Sequence, residues 1–203
     1  MRNAFTLAEL LVSIAVVVIL VLLAWPAFTT SVPIKKAQMA AVLGNARYIY
    51  FAAETINADN KTKDRPDIWP NTSGANSSVT AFLNELGLVK VEAKKLLSAP
   101  GIVVTVEGEP GNLTFQCEPN PALRFYAVGD RPDDGNQVFI SSFNIKCTPR
   151  TLTIDKEAVP FGGYGGVIFR RDGSGMFKRA RLLIDQKVQD SISKDQAEEL
   201  RWR

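Results

Sequence analysis

Between Leu10 and Ala24 the chain carries one polar side chain, Ser13, and the run is preceded immediately by a carboxylate, Glu9. Such a run has few folding options. As a helix rising 1.5 Å per residue, Phe5 to Phe28 would measure about 36 Å, enough for a hydrocarbon core of about 30 Å. A membrane-spanning helix is therefore the expectation, and Glu9 then needs a compensating partner. An acidic residue at the centre of a spanning helix costs roughly 2.5 to 3.5 kcal/mol, less near the interface. A cleaved secretory signal competes, with small residues at Ala24 and Ala27. Its basic start would be only Arg2, and Glu9 interrupts it. Loop charge does not orient the segment, because Arg2 lies on one side and Lys35 and Lys36 on the other.

The stretch Ala4-Phe5-Thr6-Leu7-Ala8-Glu9-Leu10-Leu11 resembles the processing site of type IV pilins and of the pseudopilins of type II secretion systems. In that family a short leader is removed before a Phe, the new amino group is methylated, and a Glu four residues on is retained in an apolar helix. The resemblance implies a leader of residues 1–4, cleavage between Ala4 and Phe5, N-methylation of Phe5, and assembly through Phe5 and Glu9. Ala4 replaces the family's usual Gly, and Ala8 its larger aliphatic. Pro26 falls where many pilins carry a proline. The resemblance covers about the first thirty residues. Its physical content is a charge pair: cleavage exposes an amine that Glu9 of a neighbouring subunit can meet in low dielectric, fixing their axial offset. The competing reading leaves Glu9 at headgroup level, favoured by the positive end of its own helix.

Pro26 and Pro33 each remove an amide donor, so a kink or melted stretch is expected between them. Beyond Pro33, Met39, Val42, Ala46, Ile49, Ala53 and Ile56 recur at spacings of three and four, one buried helical face. The reading is one long helix of roughly 75 Å, apolar in its first half and amphipathic in its second. Residues 57–78 read as a long surface connection around Trp69. Short helices are expected over Val79–Leu86 and Val91–Leu97. Strands follow over Ile102–Val106, Leu113–Cys117, Leu123–Val128, Val138–Phe143, Gly166–Arg171 and Met176–Leu183. A hairpin turn is expected at Asp172–Gly175. Arg181–Arg203 starts as strand and passes into a charged helical tail. The fold class is α+β and pilin-like, the long helix packing on an antiparallel β-sheet. The divisions are a leader 1–4, a transmembrane or filament-core helix 5–33, and a globular domain 34–203.

Cys117 and Cys147 are the only cysteines. In an oxidising compartment they would form one disulfide, worth about 3 to 4 kcal/mol for a loop of ~30 residues; two buried free thiols are the alternative. With no histidine among 203 residues, Ser-His-Asp, Cys-His and His-ligated metal chemistry are excluded, and no enzyme is expected. Phe161–Gly166 is glycine-rich but lacks the Lys and Ser/Thr of a P-loop, and reads as a flexible turn. No cofactor is expected. Asp130, Asp133, Asp134 and Asn136 offer oxygen ligands for calcium, which some pseudopilins hold in a late loop. Their spacing fails the EF-hand template, and Asp134-Gly135 reads equally as a turn. The net charge of +3 does not argue for nucleic acid, although Arg170, Arg171, Lys178, Arg179 and Arg181 crowd the last hairpin.

The resemblance implies a structural subunit of a type IV pilus or a type II secretion pseudopilus, the two not being separable. Its partners would be copies of itself or related subunits, a prepilin peptidase and methyltransferase, an inner-membrane assembly platform, and membrane lipid before assembly. It would sit as a single-pass inner-membrane protein with its globular domain in the periplasm, then in a filament. The alternative is a membrane-anchored binding module that never polymerises.

Overall fold

The computed structural model describes residues 7–29, 31–130, 133–149, 151–183, 192–193 and 195–202, with the backbone alone at 22–29, 31 and 32. It divides into two compact units, 1–37 and 38–203.

In the first unit, α1 (Leu7–Thr29) begins with Glu9 in its opening turn, where a carboxylate meets the positive end of the helix dipole. The Ser13 hydroxyl donates to the Glu9 carbonyl at 2.7 Å, so the run's one polar group is satisfied within the helix. A second helix, α2 (Ser31–Thr62), starts in this unit and supplies the first element of the next.

Two expectations are overturned here. The expected single long N-terminal helix, membrane-spanning in its first half and packed on one antiparallel sheet, is not what the described residues form: none of their helices is long and apolar enough to span, and their strands are divided among three sheets. Among the described residues no helix is long and apolar enough to cross a membrane, which removes the expected transmembrane segment and the single-pass inner-membrane placement. The fold class is α+β.

The second unit holds the core. Met39, Val42, Ala46, Ile49 and Ala53 of α2 are each at most 3% exposed, the three-four spacing having placed them on one stripe. The helix closes on Asn60, whose carbonyl accepts from Lys63 N and Arg65 N, with Asp64 in the left-handed region at φ 53°. The connection that follows is pinned rather than loose. Asn57 Oδ1 accepts from Ile68 N at 2.6 Å and Asn76 Nδ2 donates to Ile68 O at 2.9 Å, both in buried surroundings. Ile68 and Trp69 are thereby held in the core. Helices α3 (Val79–Glu85), capped by Ser78 Oγ, and α4 (Lys90–Leu97) follow, separated at Gly87.

Strands β1 (Val103–Glu109) and β2 (Asn112–Glu118) form an antiparallel pair. β3 (Leu123–Phe125), β4 (Val138–Ser142), β7 (Gly165–Arg170) and β8 (Gly175–Arg179) make a four-stranded antiparallel sheet in the order β3-β4-β7-β8. β5 (Ile145–Thr148) and β6 (Thr151–Ile154) pair separately. β8 is shorter than expected, turning at Ala180 into a one-turn helix α5 (Ala180–Leu183). The Asp172–Gly175 turn is present, with Gly173 at φ 82°. The glycine-rich stretch is not a flexible turn throughout. Gly165 and Gly166 lie in β7, where a Cβ on Gly166 would stand 2.3 Å from Ile145 Cδ1 and one on Gly165 2.2 Å from Lys178 O. Close strand approach, not mobility, demands them.

Residues 195–202 are not helical. They run along the outer edge of β3, where Ala127 N donates to Glu198 O at 2.9 Å and Leu200 N to Phe125 O at 2.8 Å, and then reach the start of α3, where Val79 N donates to Arg201 O at 3.0 Å. Gln196 completes the strap with its side chain, taking Val138 N on Oε1 at 2.8 Å and donating from Nε2 to Val138 O at 3.0 Å. Trp202 then packs edge-on against Phe115 and Phe125.

Candidate functional site

Three features carry chemistry: the apolar helix, the last hairpin, and a groove beside the strap. On α1 every large apolar side chain from Leu7 to Val21 is at least half exposed, Leu7 most at 77%. A helix apolar on all sides cannot satisfy itself against one sheet face. Ala4 and Phe5, the expected processing site, lie outside the described residues, as does the whole leader. Glu9 is within the described helix; Pro26 is described by its backbone alone.

The two cysteines do not form the expected disulfide. Cys117 lies on β2 and Cys147 on β5, in different two-stranded sheets, and both are free thiols. Cys147 is buried against a hydroxyl network: its N–H donates to Tyr126 Oη at 3.0 Å, and that hydroxyl lies 3.3 Å from Ser141 Oγ. Burial pushes the Cys147 thiol up to about 12 and the Tyr126 phenol well above its ordinary value.

The calcium quartet does not converge. Asp130 Oδ2 accepts from Thr72 N at 2.9 Å, Asp134 Oδ1 accepts from Asn136 N at 3.1 Å, and Asp134 Oδ2 accepts from the Ser193 hydroxyl. These carboxylates are turn and strap acceptors, and among the described residues no three acidic, cysteine or histidine groups gather for a metal ion.

The basic hairpin is divided in its roles. Arg171 is absorbed into the fold: its guanidinium stands 3.7 Å above the Trp69 ring and pairs with Glu54 at 3.0 Å. Arg179 lies 5.8 Å from the Tyr164 ring and remains exposed, as does Arg181. Phe177 and Leu182, beside them, expose 38% and 52% of their surface.

The groove was invisible in the sequence. A cavity of about 410 Å³ opens beside the strap, lined in part by Asp130, Gln137, Asp195 and Glu198. The three carboxylate residues are exposed at its rim, while Gln137 is fully buried. Gln137 Nε2 donates to Asp195 O at 3.2 Å, leaving Oε1 with no hydrogen-bond partner. The site is thus rich in acceptors. The one legible signal was the alternation of apolar Leu200 and Trp202 about Arg201, a strand period rather than a helical one. Compared with known protein families, curated proteins and solved structures, the chain matches none of them.

Proposed function

We propose that this chain is a structural subunit of a helical filament of the kind built by type IV pilins and pseudopilins, associating with its own copies through α1. The observation that carries the reading is the exposure of α1. Burying half of that surface against identical helices is worth on the order of 10 kcal/mol, comparable with the ~4 to 15 kcal/mol cost of association. The Ala4-to-Leu11 motif supports it, giving α1 a cleavage point and an acid at fixed spacing. In this reading a prepilin peptidase cuts before Phe5, and the exposed amine pairs with Glu9 of the next subunit. That pair sets register more than it adds stability, because buried ion pairs recover little beyond their desolvation cost.

Mass spectrometry of the native amino terminus tests the first half: N-methylated Phe5 is expected, and an intact Met1 overturns it. Glu9→Leu tests the second. Loss of filaments is expected, with thermal unfolding of the 38–203 unit unchanged; filaments of normal yield and spacing would remove Glu9 from assembly.

A further inference from the structure

The β1–β2 hairpin turns one whole face to solvent. Leu113 points into the core at 1% exposure, so its neighbours Asn112 and Thr114 stand together on the opposite face, both exposed. Register places Glu109 opposite Asn112, Glu107 opposite Thr114 and Thr105 opposite Gln116, and all six are exposed and polar. The one apolar residue of this face, Val103, lies at its far end opposite Glu118. Such a surface lacks the desolvated apolar centre of a packing interface, so it stays in solvent. Neither Asn112 nor Thr114 has a side-chain hydrogen bond among the described residues.

Asn112-Leu113-Thr114 is also one of four Asn-x-Ser/Thr triplets in the chain, the others starting at Asn60, Asn71 and Asn76. The triplet marks asparagines that accept a glycan, and it also recurs by chance, so the fold has to choose among the four. Asn76 is 5% exposed and its Nδ2 donates to Ile68 O at 2.9 Å. Asn60 is half-buried with Nδ2 donating to Pro66 O at 3.0 Å, and the half-buried Asn71 has its Oδ1 enclosed. A bulky substituent on any of these three meets the pinned connection between α2 and α3. At Asn112 it leaves beside the Pro110-Gly111 turn, where Gly111 has φ 86° and a Cβ built on it would find nothing within 4 Å.

We propose that Asn112 is a glycan acceptor, its carboxamide taking a sugar from a glycosyl diphosphate while the Thr114 hydroxyl identifies the site to the transferase. The bond from the anomeric carbon to the diphosphate oxygen breaks, and the diphosphate leaves with the electron pair. Asn112 Nδ2 forms the new bond to that carbon and gives up one proton to a base of the transferase. No oxidant or reductant takes part. Two residues apart in a strand, carboxamide and hydroxyl lie about 7 Å from each other along one face, so a single bound enzyme meets both. The site belongs to the 38–203 unit and does not depend on the filament reading.

Electron-transfer fragmentation in the mass spectrometer, which leaves glycans on their residues, tests the site on the full chain purified from the cells that make it. A glycan on Asn112 is expected, with Asn60, Asn71 and Asn76 bare. Thr114→Val keeps the carboxamide and the side-chain shape but removes the hydroxyl, and should leave Asn112 bare; Thr114→Ser restores the hydroxyl and should keep the glycan. Position 114 is exposed, so both variants should unfold thermally with the parent chain's 38–203 transition. One preassembled oligosaccharide increment identifies a lipid-linked diphosphate as donor, and a ladder beginning at a single hexose identifies a nucleoside diphosphate. Bare Asn112 in the native chain, a glycan on one of the three enclosed asparagines in its place, or full occupancy in Thr114→Val would each overturn the proposal. N-methylated Phe5 on a chain with bare Asn112 sinks this site alone; a glycan on Asn112 of a chain with intact Met1 sinks the processing reading alone.

Discussion

At the scale of single residues, Arg171 shows how one side chain fastens separate parts of the core. It closes over Trp69 from the pinned connection and pairs with Glu54 of α2, its own side chain only 13% exposed. A stacked guanidinium contributes about 0.5 to 2 kcal/mol, and the half-exposed ion pair adds up to about 1. Arg171→Ala should lower unfolding free energy by about 1 to 3 kcal/mol in urea titration. Arg171→Lys should recover less than half, since an ammonium keeps the charge but cannot stack. In the sequence Arg171 was indistinguishable from its basic neighbours; its role depends on Trp69, a hundred residues away along the chain. From the sequence the cysteines read as a disulfide with two buried free thiols as the alternative, and the choice between them was not legible because spacing says nothing of which sheet each strand joins. Their chemistry gives a second expectation. Cys147 should resist a thiol reagent at pH 8 in the native protein, and react on unfolding, while the half-buried Cys117 reacts slowly. Below its ordinary value of 9.0, Cys147 stays protonated in both folded and unfolded states and adds no pH slope. Between 9 and about 12 the unfolded chain releases that proton while the folded one keeps it, so stability falls as pH rises through this window. Flat stability from pH 9 to 11 would contradict a buried neutral thiol.

At the scale of elements, the strap is the part that local pattern served worst. Its charged residues suggested a helical tail, whereas pairing with β3 and the side chain of Gln196 hold it extended. Gln196 acts as a substitute peptide group, meeting both the donor and the acceptor of Val138 in a buried setting. Gln196→Ala leaves both unpaired and should cost about 2 to 4 kcal/mol, with hydrogen exchange accelerated at Ala127, Val138 and Leu200 before the rest of the sheet. Uniform loss of protection would show the strap to be inseparable from the core. Strand segments with β-branched or aromatic residues between turn signals were largely readable, from β1 to β4 and at β7. β5 and β6 were missed because each is four residues long, too short for alternation to register. The α2 stripe was readable because three-four spacing is independent of what covers it.

For the whole molecule, periodicity and composition identified an α+β chain with a distinct apolar beginning. They overreached where hydrophobic length was equated with a span, since among the described residues no helix meets that requirement. Composition measures how apolar a helix is; what covers it is decided by the other surfaces available. The strap adds a constraint of its own. Because residues 195–202 already occupy the hydrogen-bonding rim of β3, no foreign strand can extend the sheet there, and Lys178 and Arg179 set charge along the opposite rim. Runaway stacking of backbone on backbone is thus opposed at both margins of this sheet, by a covered rim on one side and by charge on the other.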